Sequence, residues 1–330
     1  MARSKTFSPM ARFTDVFPEI SGNSINGLGE ATERRPSPFF WHPPDRQTHG
    51  RLQKAVIAYH GESDAICREM SSNPPGGRGP DPIQKAANPV ERSASEWSKI
   101  IKEFAISNES DLVGITSLQP EYVYDGYNIE EPWVITVGVS MDYDELSQAP
   151  STFDNPATAV VVAKEYNRAA RACRKIANFI LSQGYYAKAY QGPFASALNM
   201  VPAAIASGFG ELGKHGSIIN REYGSNLRLS AVATDIPLVS DTPDEFGADD
   251  YCTRCKACSN ACPPGAIFDV KQLVRGETKW YVDFDRCIPY FGEALGCAIC
   301  LAKCPWSKPG NAGSIIQHLV RRKRQAGKKS

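Results

Sequence analysis

The stretch YCTRCKACSNACPPGAI, residues 251–267, sets four cysteines within eleven positions and follows them with two prolines. Thiols packed that tightly need a common partner, and whatever they hold fixes the local chain path. Cys252, Cys255, Cys258 and Cys262 follow the spacing C-x2-C-x2-C-x3-C-P. A second set, Cys287, Cys297, Cys300 and Cys304, ends in the same C-x2-C-x3-C-P. Of the ten cysteines in the 330 residues, only Cys67 and Cys173 fall outside this region, and these read as buried or incidental thiols.

The first run is that of bacterial ferredoxins, in which short gaps let successive backbone turns aim thiolates at three corners of one iron–sulfur cube. The proline after the last cysteine turns the chain away, so that this cysteine serves the other cluster. The expected sets are therefore Cys252, Cys255, Cys258 and Cys304 for one [4Fe–4S] cluster, with Cys262, Cys287, Cys297 and Cys300 for the second. Zinc also uses C-x2-C knuckles, but a three-cysteine run followed by Cys-Pro, met twice, does not suit it. A disulfide framework belongs to small secreted chains. Two neighbouring clusters form a one-electron relay and break no bonds themselves. The 251 residues before Cys252 are then expected to hold whatever receives the electrons.

Composition narrows the rest. The net charge of +1 gives no global reason to expect nucleic acid, and 42% hydrophobic residues supply a large core. No apolar run is long enough for a membrane span. The opening MARSKTFSPMARFTD has charges without an apolar stretch behind them, and PSPFFWHPP follows Arg34-Arg35. The expectation is a cytoplasmic chain, or an exported mature form whose leader has been removed. Arg321, Arg322, Lys323, Arg324, Lys328 and Lys329 make the tail basic. Such a tail is solvated unless it docks to an acidic partner or lipid.

Along the chain, residues 1–94 read as an irregular segment that wraps a core, with a proline-rich surface loop at 71–90. Trp97, Ile100, Ile101 and Phe104 recur at helical spacing, and DLVGITSL and PWVITVGVSM read as strands. Pro156 opens a long helix that Gly184 closes. VPAAIAS reads as a short helix, with YYAKAY and LRLSAVAT as further strands. Helices and strands mix without a βαβ period, so the fold class is α+β. The divisions are 1–94, a catalytic core at 95–245, a double-cluster module at 246–310 and the tail at 311–330. GFGELG supplies Gly208, Gly210 and Gly213 in the spacing G-x-G-x-x-G, but a dinucleotide fingerprint needs a strand before it and a helix after it. Here a helical VPAAIAS precedes, so the loop reads as one lying close against a flat ligand.

VPAAIASGFGELGKHGSIINREYGSNLRLSAVATDIPLV (201–239), followed by the double cluster motif, resembles the corrinoid-dependent reductive dehalogenases. The pattern is V-P-x-A-I-x-x-G-x-G-E-x-G, then Y-G-x-x-x-R, then T-D-x-P-L, then two iron–sulfur motifs, and it spans roughly residues 95–310. The same superfamily includes epoxyqueuosine reductase, which acts on tRNA. The resemblance implies a nitroreductase-like core binding cobalamin base-off, fed by two [4Fe–4S] clusters and a low-potential external electron donor. The implied reaction on a small halogenated organic substrate is R–X + 2e⁻ + H⁺ → R–H + X⁻. None of the five histidines sits in the D-x-H-x-x-G setting of proteins that ligate cobalt. YQGPFASALN lacks the asparagine that some members carry near the end of the strand after the long helix.

The resemblance also assigns roles. Tyr166, on the apolar face formed by Val162, Ala169, Cys173, Ile176 and Ile180, takes the place of the proton-donating tyrosine. Arg228 takes the place of its cationic partner; on residues alone it reads as a surface arginine on an edge strand. Gly208, Gly210, Gly213, Gly216 and Tyr223 would bound the cofactor. Phe39, Phe40 and Trp41, with Tyr290 or Phe291 from the cluster side, could wall the substrate pocket or pack an extended N-terminus on the core. The competing readings are an epoxyqueuosine reductase-like enzyme and an iron–sulfur electron-transfer subunit without corrin.

Overall fold

The computed structural model describes residues 7–71, 78–194 and 197–326. Residues 72–77 of the proline-rich loop, and Lys328 and Lys329 of the basic tail, lie outside them. The N-terminal segment contains α1 (Ala11–Thr14), α2 (Gly22–Ile25), α3 (Gly50–His60) and α4 (Asp64–Ser71). The core follows with α5 (Ala94–Ile106), β1 (Leu112–Ser117), β2 (Trp133–Ser140), α6 (Tyr143–Leu146), α7 (Ala157–Ser182) and β3 (Ala187–Gln191). It closes with α8 (Met200–Ala206), the short hairpin of β4 (Glu211–Leu212) and β5 (Ile218–Ile219), and β6 (Leu227–Thr234). The cysteine region holds α9 (Ala248–Arg254), α10 (Ala257–Ala261), the hairpin of β7 (Gln272–Val274) and β8 (Glu277–Lys279), α11 (Phe284–Glu293) and α12 (Ile299–Ala302). The tail forms α13 (Asn311–Ala326).

Four strands make one antiparallel sheet in the order β1-β2-β6-β3. Ile135 of β2 pairs with Ile115 on one side and Val232 on the other. Side chains alternate across a strand, and each face has its own cover. Val232, Ile115 and Ile135 meet Trp97 and Ile101 of α5 and Cys173, Ile176 and Ile180 of α7. On the opposite face Ala231, Ala233 and Val134 meet Met200 and Ala203 of α8 and the loop residues Tyr122 and Val123. The result is a three-layer α+β core.

Local sequence explains the ends. Ser93 caps α5: its hydroxyl accepts from the Glu96 amide while the Glu96 carboxylate accepts from the Ser93 amide, a capping box. Pro156 stands just before α7, and Gly184 turns the chain after it with φ of +84°. A Cβ there would lie 2.4 Å from the Asn88 carbonyl oxygen, so only glycine lets the 78–90 strap run along α7.

Two readings need correction. The segment at 1–94 is not irregular throughout, because α3 presents Leu52, Val56 and Tyr59 on one face. These pack with Phe13, Phe40, Ile66 and Ile288 into a cluster of their own against α11. Second, β6 lies between β2 and β3, so Arg228 stands on an interior strand and not at an edge.

Candidate functional site

Arg228 and Tyr166 come together although 62 residues separate them in the chain. Arg228 pairs with Val139 across β2 and β6. Alternation puts it on the same face as Ser230, whose hydroxyl donates to the Ala169 carbonyl of α7 at 2.7 Å. The Arg228 guanidinium sits 5.3 Å from the centroid of the Tyr166 ring, within the range of a cation–π contact. Its Nη1 donates to the Leu227 carbonyl at 3.3 Å, while its buried Nε has no partner among the described residues. Tyr166 itself is half-buried, not sealed in the core as helical spacing suggested. Gly192, just past β3, makes room for it: a Cβ there would be 2.6 Å from Tyr166 Cε1.

Further polar atoms lie around this end of the sheet. Asn226 Oδ1 and Asn167 Oδ1 are buried without hydrogen-bond partners among the described residues. Asn226 Nδ2 donates to the Ser307 carbonyl at 2.7 Å, tying the entry of β6 to the chain just beyond Cys304. Asp111 accepts from Arg168 Nη2 at 2.7 Å and from the Ser140 hydroxyl at 2.7 Å, which clamps the end of β2. Tyr223 is half-buried, and its phenol is raised by burial and then by the charges of Glu222 and Asp111.

The aromatic residues divide. Trp41 meets Phe194 at 5.4 Å and Phe291 at 6.2 Å between ring centroids. Phe194 follows Gly192 by two positions, so Trp41 faces the Tyr166 end. Phe39 and Phe40 pack edge-on against Phe284, at 4.7 and 5.6 Å, and Phe40 also meets Trp41 at 4.8 Å. Tyr290 stacks edge-on with Phe7 at 5.0 Å, and burial and then the charge of Cys297 raise its phenol.

The cysteines gather into two neighbourhoods. Cys252, Cys255, Cys258 and Cys304 line one cavity together with Lys214, His215, Tyr251, Pro305 and Trp306. Cys287 lies within electrostatic reach of Cys297 and Cys262, and Cys300 of Cys297, Cys287, Cys258 and Cys262. Burial pushes Cys252, Cys258, Cys287 and Cys304 up to about 12, with neighbouring thiolates adding to the shift. Burial likewise lifts Cys297 to about 11 and Cys300 well above the usual thiol range. Ionised together without iron, such thiolates repel in a medium that solvates them poorly; metal cations reverse that balance.

Several donors already point at sulfur. The Ala266 amide donates to Cys262 Sγ at 3.3 Å. Backbone amides of Lys214, Ser259, Ile299 and Trp306 do the same for Cys252, Cys258, Cys297 and Cys304, and the Ser225 hydroxyl adds to Cys304. Among the described residues no group of three His, Cys, Asp or Glu side chains is placed to hold a metal ion. Cys67 donates to the Gly61 carbonyl, and the fully buried Cys173 to that of Ala170.

The glycine-rich loop follows α8 and leads into the β4–β5 hairpin. Its glycines answer first to crowding within the chain: a Cβ on Gly210 would lie 2.1 Å from the Ile219 carbonyl oxygen, and one on Gly213 2.6 Å from the His215 ring. Gly208 and Gly216 have positive φ and looser surroundings, with nearest atoms at 3.0 Å (Thr242) and 3.2 Å (Val282). Two residues of this loop that sequence reasoning passed over reach the cysteine region. The Glu211 carboxylate accepts from the amides of Phe246, Gly247, Ala248 and Asp249 at the start of α9. Lys214 Nζ donates to the Cys255 carbonyl at 2.7 Å. The only signal was position: Glu211 stands inside the G-x-G-E-x-G string and Lys214 directly after it.

Residues 251–308 match the family described as the 4Fe-4S dicluster domain. A tetrachloroethene reductive dehalogenase of Desulfitobacterium hafniense is 30% identical over 213 residues, which cover 60% of this chain and 37% of that protein. The enzyme of the same description from Sulfurospirillum multivorans is 31% identical over 185 residues, covering 53% and 35%. Epoxyqueuosine reductase of Escherichia coli is 30% identical over 196 residues, covering 52% and 48%. The chain thus spans well under two thirds of the length of these relatives. Among solved structures, one reported to suggest a mechanism for B12-dependent dehalogenation superposes with a TM-score of 0.66 and 17% identity, over 92% of this chain and 46% of that one. A catabolic reductive dehalogenase in complex with 3-bromo-4-hydroxybenzoic acid gives 0.64 and 21%, over 83% and 39%. Reductive dehalogenases, which are oxidoreductases, are therefore homologues and fold neighbours of this chain, and epoxyqueuosine reductases are a related family. No described helix is long and apolar enough to cross a membrane.

Proposed function

We propose that this chain carries the catalytic core of a corrinoid-dependent reductive dehalogenase, performing R–X + 2e⁻ + H⁺ → R–H + X⁻ on a small halogenated organic molecule. The observation that carries the reading is the contact of Tyr166 with Arg228, at the end of the sheet that meets the cysteine region. In this reading residues 1–94 support a nitroreductase-like core at 95–245, which is joined to a double-cluster module at 246–310 and a basic tail at 311–330.

The residues present suit the groups this reaction needs. Each expected cysteine set has its members as neighbours and amides aimed at its sulfurs, as an iron–sulfur cluster favours. For a corrinoid, Arg228 Nε, Asn226 Oδ1 and Asn167 Oδ1, buried and without partners among the described residues, offer one donor and two acceptors, which complement the carboxamide arms of a corrin. Gly208, Gly210, Gly213, Gly216 and Tyr223 would form a wall beside it. His215 has both ring nitrogens engaged, by the Ser217 amide and the Ser225 hydroxyl, which agrees with base-off binding without a protein ligand. Bound there, a corrinoid would supply a low-potential metal centre that delivers two electrons to a carbon–halogen bond.

The chain's own residues do the rest. Tyr166 gives the proton that replaces halide, and the Arg228 charge over its ring favours the negative charge left behind. Trp41, Phe194 and Phe291 exclude water from the substrate, with Phe39, Phe40 and Tyr290 backing them. An external low-potential donor refills the clusters one electron at a time.

Anaerobically reconstituted protein should bind cobalamin with base-off spectra and release halide from at least one of a panel of halogenated phenols, alkenes and alkanes. Tyr166→Phe should keep iron and corrin content while turnover falls about 10²–10⁴-fold, the usual loss for a general acid. Near-normal halide release from that variant at full cofactor loading would overturn the assignment of Tyr166. Failure to bind cobalamin would leave the electron-transfer reading in its place.

A further inference from the structure

A buried cation stands against the first cysteine quartet, and the reaction scheme above does not use it. Lys214, on the turn between β4 and β5, is 1% exposed. Its ammonium has three neighbours: the Cys255 carbonyl at 2.7 Å, the Trp280 ring centroid at 5.1 Å, and Asp269 Oδ1 at 3.8 Å. Asp269 is already engaged, by Lys256 Nζ at 2.8 Å and by the Ser259 hydroxyl at 2.7 Å. A neutral carbonyl, an aromatic face and a shared carboxylate do not balance a full charge taken out of water, and lysines are almost never fully buried unless paired. The counter-charge has to come from elsewhere.

The cavity beside Lys214 supplies it. Cys252, Cys255, Cys258 and Cys304 line that cavity, and of its described lining residues Lys214 alone carries positive charge. His215, also in the lining, accepts from the Ser217 amide at Nδ1 and meets the Ser225 hydroxyl at Nε2. A [4Fe–4S] cluster with four thiolates is an anion, and [4Fe–4S]²⁺ + e⁻ → [4Fe–4S]⁺ adds one more negative charge. A desolvated cation in contact range therefore favours the reduced form. The second quartet has the opposite neighbour: the Asp283 carboxylate, one turn before Cys287 on α11, accepts from the Arg286 amide and from Asn23 Nδ2. Its ionic partner, Arg286 at 3.5 Å, is mostly exposed.

We propose that Lys214 is a redox-tuning residue that holds the reduction potential of the first-quartet cluster above that of the second. In the one-electron-reduced protein the electron then rests on the first centre, next to Ser225 and the entry of β6. The inference rests on the reading that each quartet holds a [4Fe–4S] cluster.

The test is a mediated electrochemical titration of the anaerobically reconstituted full chain, followed by electron paramagnetic resonance, with iron and sulfide measured on each sample. Wild-type protein should show two clusters with separate midpoints; protein without two clusters overturns both the inference and the reading beneath it. Lys214→Met should lower the upper midpoint so that the reduced-to-oxidised ratio at fixed potential falls at least tenfold, about 59 mV for a one-electron couple. The lower midpoint should move much less, and Lys214→Arg, which keeps the charge, should restore the upper one. Two clusters with unchanged midpoints in Lys214→Met would overturn the inference alone. Should Lys214→Met fail to assemble, Asp269→Asn removes the competing negative charge and should raise the upper midpoint; no rise there overturns the inference as well.

Discussion

In the sheet core, β2 buries six of its eight residues, and Ile101, Ile135, Ile176 and Ile180 are sealed from solvent. In the cysteine region α9, α10 and α12 have seven, five and four residues. One of its clusters of buried residues consists of Cys258, Cys262, Ala266 and Ile267 alone. The core is held by apolar burial, worth about 1.5–3 kcal/mol for each large side chain. Helices that short lie far below the roughly 12–15 residues at which a helix holds itself together. On the proposed reading the cysteine region should owe more of its order to what its thiols bind than the core does, although Phe246, Trp280 and Trp306 also pack there. Metal ligation can supply folding energy outright.

The largest effect should come from removing iron. Chelation under anaerobic conditions, or Cys258→Ser, should abolish the visible iron–sulfur absorption. Amide exchange across 252–262 and 297–304 should approach that of unstructured chain, while β2 and β6 keep their protection. Equal loss of protection in β2 and β6 would show that the two regions form one cooperative unit, and the contrast drawn above would fail.

The same contrast explains what could be read without coordinates. LRLSAVAT reads as a strand and forms β6 residue for residue, and Pro156 with Gly184 brackets α7, because apolar periodicity and chain-breaking residues act locally. The cysteine spacing is local too: Cys304 lines a cavity with Cys252, Cys255 and Cys258, and Cys262 lies within electrostatic reach of Cys287. Long-range facts were hidden. The i, i+4, i+7 signal of Leu52, Val56 and Tyr59 was present in α3 but sat among proline- and glycine-rich stretches. That β6 is interior depends on β3 joining its free side, which no single stretch encodes. Lys214 looks like any surface lysine until the cluster module covers it.

A middle-sized effect should separate the regions by packing alone. Ile176 is fully buried among Trp97, Ile101, Ile135 and Val232. Ile176→Ala should cost about 2–5 kcal/mol, through lost transfer energy and an incompletely collapsed cavity. Denaturant unfolding followed by circular dichroism would measure it, and iron content at equal folded fraction should not change. Ile267→Ala, in the cysteine region, should cost less while iron is bound, because ligation and not apolar burial dominates there. A larger loss from Ile267→Ala than from Ile176→Ala would contradict that ranking.

The smallest effect should come from the joint between the regions. Glu211 belongs to the core hairpin, yet its Oε1 accepts from the amides of Phe246, Gly247 and Ala248 at 2.7–2.8 Å, and its Oε2 from Asp249 at 3.0 Å. Gly247, with φ of +92°, stands at the cap of α9 and has no side chain to serve these amides. They are the donors a helix start leaves open, where the helix dipole also favours negative charge. Glu211→Gln keeps one acceptor oxygen, removes the charge and can face a carboxamide NH2 donor toward the donating Asp249 amide. The loss should be about 1.5–3 kcal/mol, the range for hydrogen bonds to a charged group. Because α9 carries Cys252, that loss should speed iron release to a chelator several-fold, while unfolding of the sheet core stays near wild type. If instead Glu211→Gln weakens the core as much as Ile176→Ala and leaves iron release unchanged, the joint belongs to the core, and the cluster region does not depend on it for its first helix.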